Sequence, residues 1–108
     1  MASLEKTIYI NRLLDIYGSL LSPAQREIMV DYFEYNLSLS EIAENRSSSR
    51  TAVSDAIRKG SKKLAYYEDQ LHILKEKEEV ATLLKKIKQN GVEESVIEQI
   101  ERIINYGL

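Results

Sequence analysis

Apolar positions along the chain recur at intervals of three and four, the spacing that stacks side chains on one face of a helix. Leu4, Ile8, Leu13, Leu14, Ile16 and Tyr17 keep that rhythm through a first segment, Ser3 to Tyr17, and Gly18 follows where a helix can close. Ser22-Pro23-Ala24-Gln25 then joins a capping hydroxyl, a proline at the first helical position and a glutamine three residues beyond the cap, which predicts a second helix opened by a capping box. Its stripe is Ile28, Met29, Tyr32 and Phe33, and Asn36 stands where a left-handed residue would end it.

Ser38-Leu39-Ser40-Glu41 repeats the capping device, with Leu37 and Ile42 placed to form a hydrophobic staple across it. This third helix is short, because Ser47, Ser48 and Ser49 compete for backbone bonds beyond Arg46 and supply the next cap. A fourth helix from Arg50 turns Val53, Ala56, Ile57 and Leu64 inward and Arg50, Ser54, Arg58 and Lys62 outward, with Gly60 expected to weaken it locally. Leu64, Tyr67, Leu71 and Leu74 continue at alternating three and four, a narrow seam like that of a coiled coil, until the rhythm falters at Glu78. Ala81, Leu84 and Ile87 resume it, Asn90-Gly91 stops it, and Val96, Ile97, Ile100, Ile103 and Ile104 mark a last helix that Gly107 would end.

No alternating run is long enough for a strand, so the expected fold class is all-α: a helix-turn-helix with additional N-terminal and C-terminal helices. The expected organisation is a helix-turn-helix domain over residues 1–65, N-terminal helix included, and a helical extension over 66–108 that offers a dimerisation element.

Composition narrows the function classes. With 108 residues, 44% of them hydrophobic, and only one proline, the chain has the size and core of one compact domain and argues against disorder. The absence of cysteine excludes disulfides, thiolate metal sites and cysteine nucleophiles. Met1 to Ile10 lacks the apolar centre of a signal peptide and no run reaches membrane-spanning length, so a cytoplasmic protein with no membrane insertion is expected. Net charge is -2, but between Arg46 and Lys63 six cations face Asp55 alone, whereas from Tyr66 onward acids outnumber bases. The two halves should therefore meet different partners.

Candidate chemistry is sparse. No phosphate-binding loop, nucleophile elbow or dinucleotide fingerprint occurs, so neither enzyme activity nor a cofactor is expected. His72 is the sole histidine; a metal there would need Glu68 or Glu76, and a surface histidine is the expected role. Glu78-Glu79 and Glu93-Glu94 are adjacent acids that point to different helix faces and form no convergent catalytic pair. Tyr9, Tyr17, Tyr32, Tyr35, Tyr66, Tyr67 and Tyr106 are expected in core and interface positions rather than stacked on bases.

Leu21 to Ile28, Leu37 to Glu44 and Ser49 to Val53 together resemble region four of bacterial sigma-seventy factors without a gap. In that arrangement one helix supports, a short helix crosses the nucleic-acid backbone, and a recognition helix, here capped by Ser49, enters the major groove. Glu5-Lys6, Asn11, Asp15 to Tyr17, Tyr67-Glu68 and Leu71-His72 extend the likeness to the YlxM family of small bacterial helix-turn-helix proteins. That resemblance implies a cytosolic regulator or accessory factor linked to the signal recognition particle. The turn Asn45-Arg46-Ser47-Ser48 departs from the family, whose members usually carry apolar residues and a glycine or asparagine there.

Arg46, Ser49, Arg50, Thr51, Ser54, Arg58, Lys59, Lys62 and Lys63 are the candidate nucleic-acid contacts, with double-stranded DNA as the expected ligand. The alternative is a module that binds a protein or the RNA of the targeting particle without reading DNA sequence. A homodimer is expected through Leu64, Tyr67, Leu71 and Leu74.

Overall fold

The computed structural model describes residues 3–106, with side chains through residue 104. Gly107, expected to end the last helix, lies outside them. Among the described residues the secondary structure is six α-helices and one 3-10 turn: α1 (Leu4–Tyr17), the turn Gly18–Leu20, α2 (Pro23–Phe33), α3 (Leu39–Asn45), α4 (Arg50–Leu71), α5 (Ile73–Gln89) and α6 (Glu94–Tyr106). The fold is all-α, as the periodicity requires.

Each of the first four helices begins on a serine whose hydroxyl accepts a backbone amide two or three positions into the helix: Ser3, Ser22, Ser38 and Ser49. Ser38 and Glu41 form the reciprocal box, the Glu41 amide donating to Ser38 Oγ at 3.1 Å and the Ser38 amide to Glu41 Oε1 at 3.2 Å. The box expected at Ser22 is only half made. Ser22 Oγ accepts from the Gln25 amide, but Gln25 Oε1 faces α4 and accepts from Lys63 Nζ at 3.3 Å.

The chain divides into two compact units at His72/Ile73. The expected boundary at 65/66 falls inside α4, which runs unbroken past Gly60 to Leu71. Gly60 is the place where α2 and α4 approach closely. A Cβ there would lie 2.8 Å from Met29 Sδ and 3.0 Å from Met29 Cγ, and Met29 is fully buried.

The core of the first unit has two parts. Ile42, Ala43 and Val53 are buried with Ile28, Tyr32, Leu37, Leu39 and Ile57 packed against them, which joins α2, α3 and α4 and includes both residues of the predicted staple. Ile10, Leu13, Leu14, Tyr17, Leu21, Met29, Phe33 and Leu64 are buried where α1, α2 and α4 meet. Two polar bonds lock α1 into place. Asn11 Nδ2 donates to the Phe33 carbonyl at 3.0 Å, satisfying an orphan acceptor at the end of α2, and the Tyr17 hydroxyl donates to Glu68 Oε1 at 2.7 Å.

In the second unit α5 and α6 pack on each other across the turn at Gly91, whose φ is 86°, and Leu84 and Ile97 are buried. No helix among the described residues is long and apolar enough to cross a membrane.

Candidate nucleic-acid interface

The turn between α3 and α4 is closed without glycine. Ser47 takes the left-handed conformation at φ 52°, the Ser48 amide donates to the Ala43 carbonyl at 2.9 Å, and the Ser47 amide donates to the Glu44 carbonyl at 3.3 Å. This pair of bonds is the Schellman arrangement, which satisfies carbonyls that the end of α3 would otherwise leave open. The turn brings no apolar residue to the core. Instead Arg46 folds back onto α2, its Nη2 2.7 Å from Glu27 Oε2, and its side chain retains 26% exposure. Arg46 Nε is buried with no hydrogen-bond partner, while Nη2 is held by the exposed Glu27 carboxylate.

Directly after the turn, Ser49 caps α4 by accepting from the Ala52 amide at 3.0 Å. The first turns of α4 then offer Arg50, Thr51, Ser54, Asp55 and Arg58, which line a shallow depression together with Leu39 of α3. Arg50, Thr51, Ser54, Arg58, Lys59, Lys62 and Lys63 are all exposed, while Val53, Gly60 and Leu64 face the core, so the solvent side of α4 carries the cations as its periodicity predicts.

The structure distinguishes cations that their positions alone do not. Asp55 Oδ1 is 2.6 Å from Arg58 Nη2 and Asp55 Oδ2 is 3.0 Å from Lys59 Nζ, so one carboxylate holds two of the candidate contacts. The hydrogen bond from Lys59, then that from Arg58, lowers the Asp55 pKa below its ordinary value of 3.8, and the carboxylate is ionised at neutral pH. Lys63 donates to Gln25, whereas Arg50 and Lys62 form no ion pair among the described residues. Arg46 lies apart from this group, lining a separate cleft with Arg26, Asp31 and Tyr35. The bridging carboxylate was not among the candidate contacts, although its spacing of three and four residues from Arg58 and Lys59 is the spacing of helical ion pairs.

The expected dimer seam is corrected. Leu64 is fully buried and Leu74 is buried, Tyr67 is half-buried with its ring 6.0 Å from that of Tyr17, and only Leu71 is largely exposed. The helix also stops within the seam: His72 is left-handed at φ 56°, so Leu74 belongs to a different helix from Leu64, Tyr67 and Leu71. Leu64 packs into the fold and is not available to a second copy.

Among the tyrosines, Tyr17 is buried and Tyr32 packs edge-on against Phe33, but Tyr9, Tyr35 and Tyr66 are exposed; the Tyr106 side chain lies outside those described. Among the described residues no group of three potential ligands is placed to hold a metal ion.

A short capped helix joined by a closed turn to a long capped helix, basic on its open side, defines an all-α helix-turn-helix protein. Residues 4–103 match the model of the family described as "Putative helix-turn-helix protein, YlxM / p13 like", and the chain belongs to that family. It is 40% identical over 101 residues to a UPF0122 protein of Fusobacterium nucleatum subsp. nucleatum, covering 94% of this chain and 98% of that one. It is also 42% identical over 102 residues to a UPF0122 protein of Bacillus thuringiensis, covering 94% of this chain and 93% of the relative. A UPF0122 protein of Mycoplasma capricolum is 38% identical over 102 residues, with 94% and 90% covered.

Proposed function

We propose that the chain is a cytoplasmic regulator that binds double-stranded DNA through the solvent side of α4, and that it acts by binding rather than by catalysis. The observation that carries this reading is the position of the cations: Arg50, Arg58, Lys59 and Lys62 are exposed on the helix that follows a closed helix-turn-helix turn. Ser49, Thr51 and Ser54 add hydroxyls beside them for phosphate or base contacts. Arg46 contributes by fixing the turn through Glu27 rather than by touching the ligand.

A homodimer belongs to the same reading. The second unit leaves Leu83, Val96 and Ile103 exposed, and two paired chains would set two recognition helices on half-sites about one helical turn apart, roughly 34–36 Å.

A second reading is favoured by the exposed carboxylate of Asp55 within the basic face: the helix serves a protein or RNA of the targeting machinery, with the chain as an accessory factor of the signal recognition particle. Titration of labelled random duplex DNA at low and physiological salt separates the two. The DNA reading expects salt-sensitive binding that Arg50→Ala combined with Lys62→Ala, the two cations held by no ion pair among the described residues, reduces at least roughly tenfold. Duplex binding that the double variant leaves unchanged would sink the assignment of α4, and no binding at low salt would favour the second reading.

A further inference from the structure

On an α-helix successive residues advance by about 100°, which spreads Arg50, Ser54, Arg58, Thr51, Lys62, Asp55, Lys59 and Lys63 in that order around the open side of α4. Asp55 therefore stands inside the basic arc, with Arg58 on one flank and Lys59 on the other, and its two oxygens are divided between them at 2.6 and 3.0 Å. It shares the shallow depression lined by Leu39, Arg50, Thr51, Ser54 and Arg58. An acid at this place has two physical consequences. It keeps two cations from the phosphates of an arbitrary duplex, and it presents an acceptor, not a donor, to the groove.

We propose that Asp55 is the specificity-determining residue of the recognition helix: it withholds Arg58 and Lys59 from generic phosphate and releases them only where an exposed base amino group takes their place on its carboxylate. The base edge that fits best is cytosine, whose N4 amino group is a major-groove donor with no acceptor beside it on that base, whereas adenine N6 lies next to the N7 acceptor, which repels a carboxylate. On guanine or thymine the carboxylate gains nothing for the two charge-assisted bonds it gives up, and on adenine the neighbouring N7 acceptor offsets the gain from N6, so the duplex is held mainly by the remaining cations. On the matching base the one N4 hydrogen left free by base pairing is donated to a carboxylate oxygen, and Arg58 and Lys59 recover on the backbone phosphates the charge-assisted bonds they give up.

This inference rests on the DNA reading of α4, and the test separates the two. Wild type, Asp55→Asn and, as a control for net charge, Glu79→Gln in the second unit would be titrated against random duplex over a range of salt and used to select sites from a randomised duplex pool. Asp55→Asn is expected to bind random duplex roughly tenfold more tightly, with a salt slope steeper by about 0.9 for each cation released, while Glu79→Gln keeps the wild-type slope. Wild type is expected to enrich a cytosine at one position of each half-site, and Asp55→Asn to lose that enrichment with no fall in melting temperature. If wild type binds duplex and either readout is unmoved in Asp55→Asn, the inference is overturned while the DNA reading stands. If neither protein binds duplex at low salt, the DNA reading fails and this one with it.

Discussion

Asn36, Ser47 and His72 carry positive φ angles of 55°, 52° and 56°, a conformation that costs a side-chain-bearing residue roughly 1–2 kcal/mol relative to the right-handed helix. Each sits where a helix ends. At Asn36 the Leu37 amide reaches back to the Asp31 carbonyl at 3.0 Å, and at Ser47 two amides close α3. Asparagine tolerates this backbone, so the end of α2 could be read from residue type alone. Ser47 could be read as a turn but not as its left-handed residue, because three successive serines are equivalent by type. Ser47→Gly should therefore stabilise the first unit by about 0.5–1 kcal/mol, part of the relief being offset by the greater freedom of glycine in the unfolded chain. Thermal melts check this, and a rise of roughly 3–6 °C is expected. His72 was invisible for a different reason: apolar residues keep the same three-and-four spacing on both sides of it, and periodicity has no way to register a break that preserves the count.

At the scale of elements, the caps carry the architecture. Ser38 and Glu41 satisfy two backbone donors at the start of a helix of seven residues, which is too short to persist on propensity. Ser38→Ala is expected to cost about 1 kcal/mol, measured by chemical denaturation, and under the proposed DNA reading to weaken duplex binding in parallel, because α3 packs against α4. The crossing of α2 and α4 depends on Gly60 in the opposite sense from an exposed helical glycine. Alanine would gain about 1 kcal/mol of helix propensity but would press on buried Met29, and overpacking of a core costs about 1–3 kcal/mol. Gly60→Ala should thus lower the melting temperature, where propensity alone predicts a rise. The helices, their caps and the basic side of α4 were legible in the sequence because they depend on neighbours within one or two turns. The Arg46–Glu27 pair, the Lys63–Gln25 bond and the close approach at Gly60 were not, since each joins residues 19 to 38 positions apart or requires the distance between two helices.

Over the whole molecule the basic face of α4 and the isoleucine-rich extension belong to separate units, divided where α4 ends. Every candidate nucleic-acid contact belongs to the first. A fragment ending at His72 should accordingly keep the salt slope of the full chain to within one phosphate contact, about 0.9, and should lose any self-association; a slope that falls further would show that lysines of α5 also touch the ligand. The seam Leu64 to Leu74 shows how far a one-dimensional pattern reaches. It is helical on both sides and apolar throughout, yet its members divide between a buried core position, a half-buried ring, an exposed leucine and a second helix.

The bond from Tyr17 to Glu68 joins the last residue of α1 to a residue in the final turn of α4, 51 positions on. It has a consequence for the newborn chain. Synthesis proceeds from the N-terminus at about 5–20 residues per second, so Tyr17 emerges roughly 3–10 s before Glu68, the residue that secures it. During that interval Leu13, Leu14 and Tyr17 lack their cover from α4, and a nascent chain stalled before Glu68 would display an unfinished core to chaperones and proteases rather than a closed helical unit.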